Sequence, residues 1–170
     1  MPLFELQNPD HLKRVPFLLR ESQVVDEICF VVDGFLHSYY LDQTQEEKTY
    51  CLVFPFEFVT AYSSFLTAQH SNINVRTLTQ VILNVISKVD LLRLMESRPN
   101  LRKMFHSLTE EYLVKLENRF FQFQKDDAKT RYNELLNEHP EFIRHLPLKL
   151  LASYLGITPR HLSRIRGRLD

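Results

Sequence analysis

Glycine is scarce in this 170-residue chain: Gly34, Gly156 and Gly167 are the whole set, so no glycine-rich phosphate loop is present. Cysteine is scarcer still. Cys29 and Cys51 sit in apolar, strand-like runs, and neither their number nor their spacing suits a zinc or iron–sulfur site, so two buried free thiols in a reducing cytoplasm are expected. No run of 18 apolar residues occurs and no signal peptide precedes the first elements, which predicts a cytoplasmic protein with no membrane partner. A nucleophile with a base at recognisable spacing is also missing, and the reading is of a non-enzyme. Charge of one sign is absent as well, since 21 Lys and Arg face 21 Asp and Glu. That balance would argue against a nucleic-acid partner only if the charges were spread evenly. They are not: residues 144–170 hold six Lys and Arg against one Asp, a balance of plus five, which leaves the other 143 residues at minus five. Such asymmetry suggests a basic tip on an acidic body. A hydrophobic content of 44% and 25% charge suit a soluble globular chain, and the length holds one large or two small domains.

The stretch that is most specific in its signals is the last, LPLKLLASYLGITPRHLSRIRGRL from Leu146 to Leu169. Leu151 and Leu155 give a first helix its apolar stripe, and Ala152 is small enough for a second helix to cross closely. Gly156 can turn the chain with φ above zero. Ile157 plugs the corner, Thr158 can cap a new helix, and Pro159 sits at its first position, where no N–H is needed. Leu162, Ile165 and Leu169 would form the buried face of that helix. Arg160, Ser163, Arg164, Gly167 and Arg168 fall on the opposite stripe. This is a helix-turn-helix pattern, and an arginine stripe of this kind can enter a major groove, where a bidentate arginine–guanine pair is worth roughly 1 to 3 kcal/mol of discrimination.

Ahead of it lie short runs of β character: Val15 to Leu19, Ile28 to Val32, Phe35 to Leu41, Lys48 to Phe54, Ile73 to Leu78 and Val81 to Ser87. Asp33-Gly34 between two apolar runs predicts a hairpin, polar Gln43 to Glu47 the next turn, and alternation places Phe35, Tyr39 and Leu41 on one face. Several short strands at regular spacing read as an antiparallel roll or barrel. After Ser87 the period changes. A short helix is expected over Val89 to Glu96, Pro99 interrupts, and a long amphipathic helix runs from Asn100 to Gln124. Its apolar positions Leu101, Phe105, Leu108, Tyr112, Leu116, Phe120 and Phe123 approach a heptad seam; Met104, Leu113 and Phe121 widen the stripe. That pattern fits either a dimer seam or a core helix covering the roll. Lys125 to Lys129 is a charged break, after which Asp127 could cap a helix carrying Arg131, Tyr132, Leu135 and Leu136 and ending near Pro140. The domains expected are thus 1–98, a β-roll; 99–124, a connecting helix; and 125–170, the helix-turn-helix domain. The fold class is α+β.

A β-roll, a long helix and a C-terminal helix-turn-helix in this order resemble the Crp/Fnr family of bacterial transcription regulators over essentially the whole chain. The branch common in Bacteroidetes is most similar, at FVVDGFLHSYYLD, YSSFL, TRYNELLNEHPEF and above all LASYLGITPRHLSRIR. The resemblance implies a cyclic-nucleotide-binding-like jelly roll, a homodimer joined by the long helix, and double-stranded DNA as partner, with recognition by Thr158, Arg160, His161, Ser163 and Arg164. Members of this branch usually carry an acidic residue where Arg160 stands, a departure that bears on DNA sequence preference. In family members that bind cyclic AMP, a Gly-Glu pair and an Arg-Ser/Thr stretch hold the ribose and cyclic phosphate. Those places hold Thr60 and Ala61, then Ser71 and Asn72, so the phosphate lacks its arginine and cyclic AMP is not the expected effector. The roll would take another small-molecule effector around Tyr62, Ser63, Ser64 and Ser71, or serve only as a dimer scaffold. No counterpart of the family's N-terminal helices or of its β-hairpin wing is expected from this sequence, so phosphate contacts would fall to Arg144, Lys149 and Arg166.

Two other readings compete. A cupin-type metalloenzyme would need clustered His, His and Glu on adjacent strands. Of the seven histidines, at 11, 37, 70, 106, 139, 145 and 161, only His37 and His70 fall in the roll, so no metal and no cofactor is expected. The second is a scaffold or sensor whose helix-turn-helix binds protein rather than DNA.

Overall fold

A computed structural model of the chain describes residues 17–140, 143 and 146–167. These form two compact units, Met1–Leu91 and Leu92–Asp170. The first unit holds seven strands, β1 (Phe17–Leu19), β2 (Glu27–Asp33), β3 (Leu36–Leu41), β4 (Glu47–Val53), β5 (Phe58–Val59), β6 (Asn74–Thr77) and β7 (Ile82–Ser87), with one short helix, α1 (Tyr62–Thr67), between β5 and β6. All pairings are antiparallel. They make a four-stranded sheet in the order β1-β6-β3-β4 and a three-stranded sheet in the order β5-β2-β7. Leu36, Val53 and Val75 of the first sheet meet Cys29, Val31, Val59 and Leu83 of the second in one apolar cluster. The α+β class and the antiparallel jelly roll expected from the sequence are what the structure has. Cys29 is buried and Cys51 half-buried, and the two are not joined in a disulfide.

The hairpin expected at Asp33-Gly34 does not form, because β2 and β3 lie in different sheets and do not pair. The glycine is needed for another reason. Gly34 has φ +86°, and a Cβ there would meet the carbonyl oxygen of Gln80 at 2.2 Å. The next amide, of Phe35, donates to Thr79 Oγ1 at 2.9 Å. The chain therefore crosses from one sheet to the other by running hard against the β6–β7 connection, a close backbone approach that only glycine permits. The turn expected at Gln43 to Glu47 does join β3 to β4. Asp42 organises it, its Oδ1 accepting from Thr44 N at 2.8 Å, Thr44 Oγ1 at 2.7 Å and Glu46 N at 3.0 Å.

Nor does β3 alternate as expected. Leu36, His37, Ser38 and Tyr39 are all buried while Leu41 is exposed. The strand lies between β6 and β4 and is bulged against β4 between Ser38 and Tyr39, which breaks the period of two. β5 and α1 were not anticipated: a two-residue strand and a six-residue helix leave no period to read.

The second unit begins within α2 (Lys88–Ser97) and continues through α3 (Pro99–Lys125), α4 (Ala128–Glu138), α5 (Leu148–Tyr154) and α6 (Pro159–Arg166). Pro99 does not break a helix but starts one, at the first position of α3, where its missing N–H costs nothing. Asp127 caps α4 by accepting from Thr130 N at 2.8 Å, as the sequence suggests. Ala128, Tyr132, Leu135, Ile143, Leu146, Leu151, Ala152, Leu155, Leu162 and Ile165 are the buried apolar residues of this unit among those described. The first dozen residues, Val15, Arg144, His145, Arg168 and Leu169, for which the sequence suggests roles, lie outside the described residues.

His37 is fully buried. Its Nε2 is hydrogen-bonded to Thr49 Oγ1 at 3.0 Å, its ring stacks on Tyr39 at 5.0 Å, and its Nδ1 has no partner. Burial first, then the charge of Arg76 on the neighbouring strand, pushes its pKa down to about 4 against the opposing pull of Glu47. The folded state thus binds fewer protons than the unfolded one between the ordinary histidine value and about 4, so stability is complete above that window and falls as pH drops through it. Chemical denaturation at pH 7 and about pH 4.5 should show a loss of roughly 2 kcal/mol, and the His37→Gln variant should lose distinctly less over the same interval.

Candidate nucleic-acid interface

The helix-turn-helix unit is built from local signals that agree. Leu151 and Ala152 of α5 are completely buried. Leu155 closes that helix, and Gly156 follows at φ +69°, donating to Ser153 O at 3.1 Å, while Ile157 N reaches Ala152 O at 3.0 Å. This is a left-handed residue ending a helix with backward bonds that satisfy its last carbonyls. Thr158 then caps α6, its Oγ1 accepting from His161 N at 3.2 Å, and Pro159 takes the first helical position. Leu162 and Ile165 point inward and are buried.

Of the stripe expected on the outer face, Arg160, Ser163, Arg164 and Gly167 are exposed, and Arg168 lies outside the described residues. Thr158, Arg160, His161, Ser163 and Arg164 are all exposed. Among the described residues, neither the Arg160 nor the Arg164 side chain is engaged by a hydrogen bond or an ion pair. Two arginines one turn apart on a helix face, each with its donors free, can present planar forks to guanine edges or to phosphate. Arg164 also lies in the last turn, where the helix dipole favours a cation.

Of the phosphate contacts expected, Lys149 is exposed near the start of α5. Arg166 is instead turned into the domain: its Nη2 donates to Ile143 O at 3.1 Å and its guanidinium lies 5.7 Å from the Tyr132 ring. That engagement makes Arg166 a brace under α6, which periodicity alone could not distinguish from a surface arginine.

The long helix α3 has no buried residue along its 27 positions. Leu101, Phe105, Leu108 and Tyr112 are half-buried, whereas Leu116, Phe120 and Phe123 are exposed, Phe120 by 61%. Leu113, Val114 and Phe121 are exposed beside them. Phe123 has a second engagement: it lies against Gly156 of the recognition turn, where an added Cβ would be 2.9 Å from its ring.

In the roll, the residues expected to line an effector pocket gather around α1, but several hydroxyls there already have partners. Thr60 Oγ1 donates to Glu27 O at 2.8 Å, and Ser64 Oγ accepts from Val25 N at 2.9 Å and donates to Gln69 O. Ser71 Oγ bonds both the carbonyl and the amide of Ile73. Ala61 is part of the apolar cluster, Tyr62 is half-buried, and Ser63 and Asn72 are exposed. The nearby cation Lys88 donates from Nζ to the carbonyls of Phe65 and Leu66, at 2.6 and 3.0 Å, closing the end of α1. Arg76 is bidentate to Glu47 at 2.8 and 2.7 Å.

Among the described residues, no group of three or more His, Cys, Asp or Glu is placed to hold a metal ion, and no helix is long and apolar enough to cross a membrane. Sequence reasoning passed over Arg119, Tyr154 and the inward side of Arg131; the four-residue spacing of Arg119 and Phe123 on α3 was the available signal.

Residues 10–98 match the cyclic nucleotide-binding domain family. No curated protein sequence matches the chain. Among solved structures, FixK2 from Bradyrhizobium japonicum is 15% identical with a TM-score of 0.75, over 90% of this chain and 79% of that one. CLP of Xanthomonas campestris, a c-di-GMP-responsive global regulator, is 16% identical with a TM-score of 0.66, over 90% and 81%. A protein from Eubacterium rectale described as a transcriptional regulator of the Crp/Fnr family is 17% identical with a TM-score of 0.60, over 82% and 67%.

Because the Thr158 hydroxyl satisfies an otherwise orphaned amide of α6, Thr158→Ala should lower stability by about 1 kcal/mol in urea unfolding, and Thr158→Ser should retain most of it.

Proposed function

The chain belongs to the cyclic nucleotide-binding domain family and has the fold of Crp/Fnr-type transcription regulators, and on that premise we propose that it is a homodimeric regulator that reads double-stranded DNA in a sequence-specific way through α6. It acts by binding, not catalysis, and works in the cytoplasm. The observation that carries this reading is the division of α6 itself: Leu162 and Ile165 are buried beneath it while Arg160, His161, Ser163 and Arg164 all stand free on the outer side. A solvated surface helix would not need a capped, close-crossing partner to display four such groups. Support for the dimer comes from the exposed apolar length of α3, whose Leu113, Leu116, Phe120 and Phe121 form a face larger than single scattered apolar residues.

Three pieces carry the domain organisation of this reading: residues 1–98 as the roll, 99–124 as the dimerising helix and 125–170 as the DNA-binding domain. Arg144 and Lys149 would contact phosphate and Arg168 would extend the reading stripe of α6, while Arg166 supports α6 from within.

Selection of duplexes from a random pool tests the reading directly. The wild type should enrich a two-fold-related motif, and Arg164→Ala should lose one position of it at a cost of about 1 to 3 kcal/mol. Binding should weaken steeply as salt rises, because phosphate contacts release counterions. If no motif emerges and binding does not respond to salt, the helix-turn-helix serves a protein partner instead.

For the roll we propose an effector other than cyclic AMP, or none. The family's phosphate-binding arginine is replaced here by Ser71 and Asn72; Ser71 is bonded to Ile73, and both Lys88 and Arg76 are engaged elsewhere. Titration calorimetry with cyclic AMP should accordingly give no binding heat at millimolar ligand. A saturable isotherm at micromolar concentration would overturn this part of the reading.

A further inference from the structure

Arg131 stands at the meeting point of four segments of the second unit. Its Nη1 donates to the carbonyl of Asp126, just past the end of α3, and its Nη2 donates to the carbonyl of Leu155, at the end of α5, at 2.9 Å. Its guanidinium lies 5.1 Å from the Phe123 ring of α3. From α3 as well, Arg119 reaches across to Tyr154 of α5 at 4.4 Å and to Phe123 at 5.7 Å. The Phe123 ring thus lies within reach of two guanidinium groups, and it rests on Gly156 so closely that a Cβ there would be 2.9 Å away. Around this junction runs a cleft lined also by Gln122, Glu134 and Glu138, with Gln122 Nε2 donating to Glu134 at 2.9 Å.

We propose that Arg131, with Arg119 as its partner across Phe123, is the positioning residue that locks the recognition turn onto the end of the long helix and so sets where α6 points relative to the α3 axis. The inference rests on the DNA-binding reading and deepens it. The chemistry is specific to arginine. One planar fork bonds two carbonyls contributed by segments that are separate in sequence while its carbon lies over an aromatic ring; an ammonium group could reach one carbonyl but not span both from that position. The two carbonyls belong to the ends of α3 and α5, where helix dipoles place partial negative charge, so a cation suits both. A small residue at 156 is needed for the same purpose. Gly156 supplies the turn by its φ of +69° and, by lacking a Cβ, lets Phe123 approach.

In a dimer joined along α3, the direction of each α6 fixes the distance between the two half-sites that can be read together. A loosened junction would leave each reading helix intact and remove the fixed spacing. Arg131→Lys is the informative variant, because it keeps the charge and therefore the electrostatic attraction to DNA. With the full-length protein it should bind a duplex carrying one half-site within about twofold of the wild type. It should bind the correctly spaced two-half-site duplex about tenfold more weakly, and it should tolerate insertion or deletion of one base pair between half-sites that the wild type rejects. In the absence of DNA, amide hydrogen exchange at Gly156 and Ile157 should quicken about tenfold in the variant while exchange in the middle of α3 is unchanged. Retention of the wild-type spacing preference, or an equal loss on single and paired half-sites, would overturn the proposal. If the wild type selects no DNA at all, the DNA reading fails, and unchanged exchange at Gly156 and Ile157 in the variant would separately sink the lock.

Discussion

An eight-residue helix has no stability of its own in water, because nucleating it fixes several residues for each hydrogen bond gained. α6 is such a helix, and it persists only because Leu162 and Ile165 are taken out of solvent. Each side chain buried in this way is worth about 1.5 to 3 kcal/mol. Most of the second unit can be understood as the floor that receives them. Leu151 and Ala152 are completely buried in α5, Ile143 is completely buried before it, and Arg166 is drawn inward to bond Ile143 while lying over Tyr132. The Thr158 cap and Pro159 then fix where the helix begins. With one face anchored so fully, the other is free to carry charge that makes no contribution to folding.

This dependence on neighbours close in sequence is why the helix-turn-helix could be read from residues alone. Ala152, Gly156, Ile157, Thr158 and Pro159 each act on atoms within a few positions, so spacing conveys geometry. The roll was readable in kind but not in connection. Asp33-Gly34 carries the local signature of a hairpin, yet what decides its role is the carbonyl of Gln80, some forty-six residues further on. Turn chemistry says that the chain bends; it does not say which strand waits after the bend. The same limit hid the junction at Arg131, whose partners are two main-chain carbonyls and one aromatic ring. Carbonyls have no sequence signature, and an arginine on a helix looks the same whether it faces solvent or spans two helix ends.

The hydroxyls near α1 show the opposite ambiguity. As a sequence, Thr60, Ser63, Ser64 and Ser71 suggest a polar pocket for a ligand. In the structure Thr60, Ser64 and Ser71 hold the connections between β2, α1 and β6 by bonding main-chain groups. A buried hydroxyl that is already satisfied gains little from a ligand, since binding would exchange one hydrogen bond for another. An effector for this roll would need to bring apolar surface or displace Lys88 from the carbonyls it closes, and a cyclic phosphate offers the first poorly.

The short reading helix and the exposed long helix can be understood together. Four outward side chains on α6 can address three or four base pairs, each worth roughly 1 to 3 kcal/mol of discrimination. Regulators separate their sites from bulk DNA by about 4 to 10 kcal/mol; on the proposed reading, one helix whose contacts lie at the low end of that discrimination would fall short, and a second copy at a fixed distance would bring the sum into the range. A face as apolar as that of α3, with Leu116, Phe120 and Phe121 exposed, is costly to leave in water and has the length to hold two copies in register. Net charge fits the same arrangement. A chain with a formal charge of zero would gain little long-range attraction to DNA, so on the proposed reading its affinity would come from charges concentrated at the contact. That is where residues 144–170 place six of its 21 Lys and Arg, leaving the acidic remainder to discourage binding by any other face.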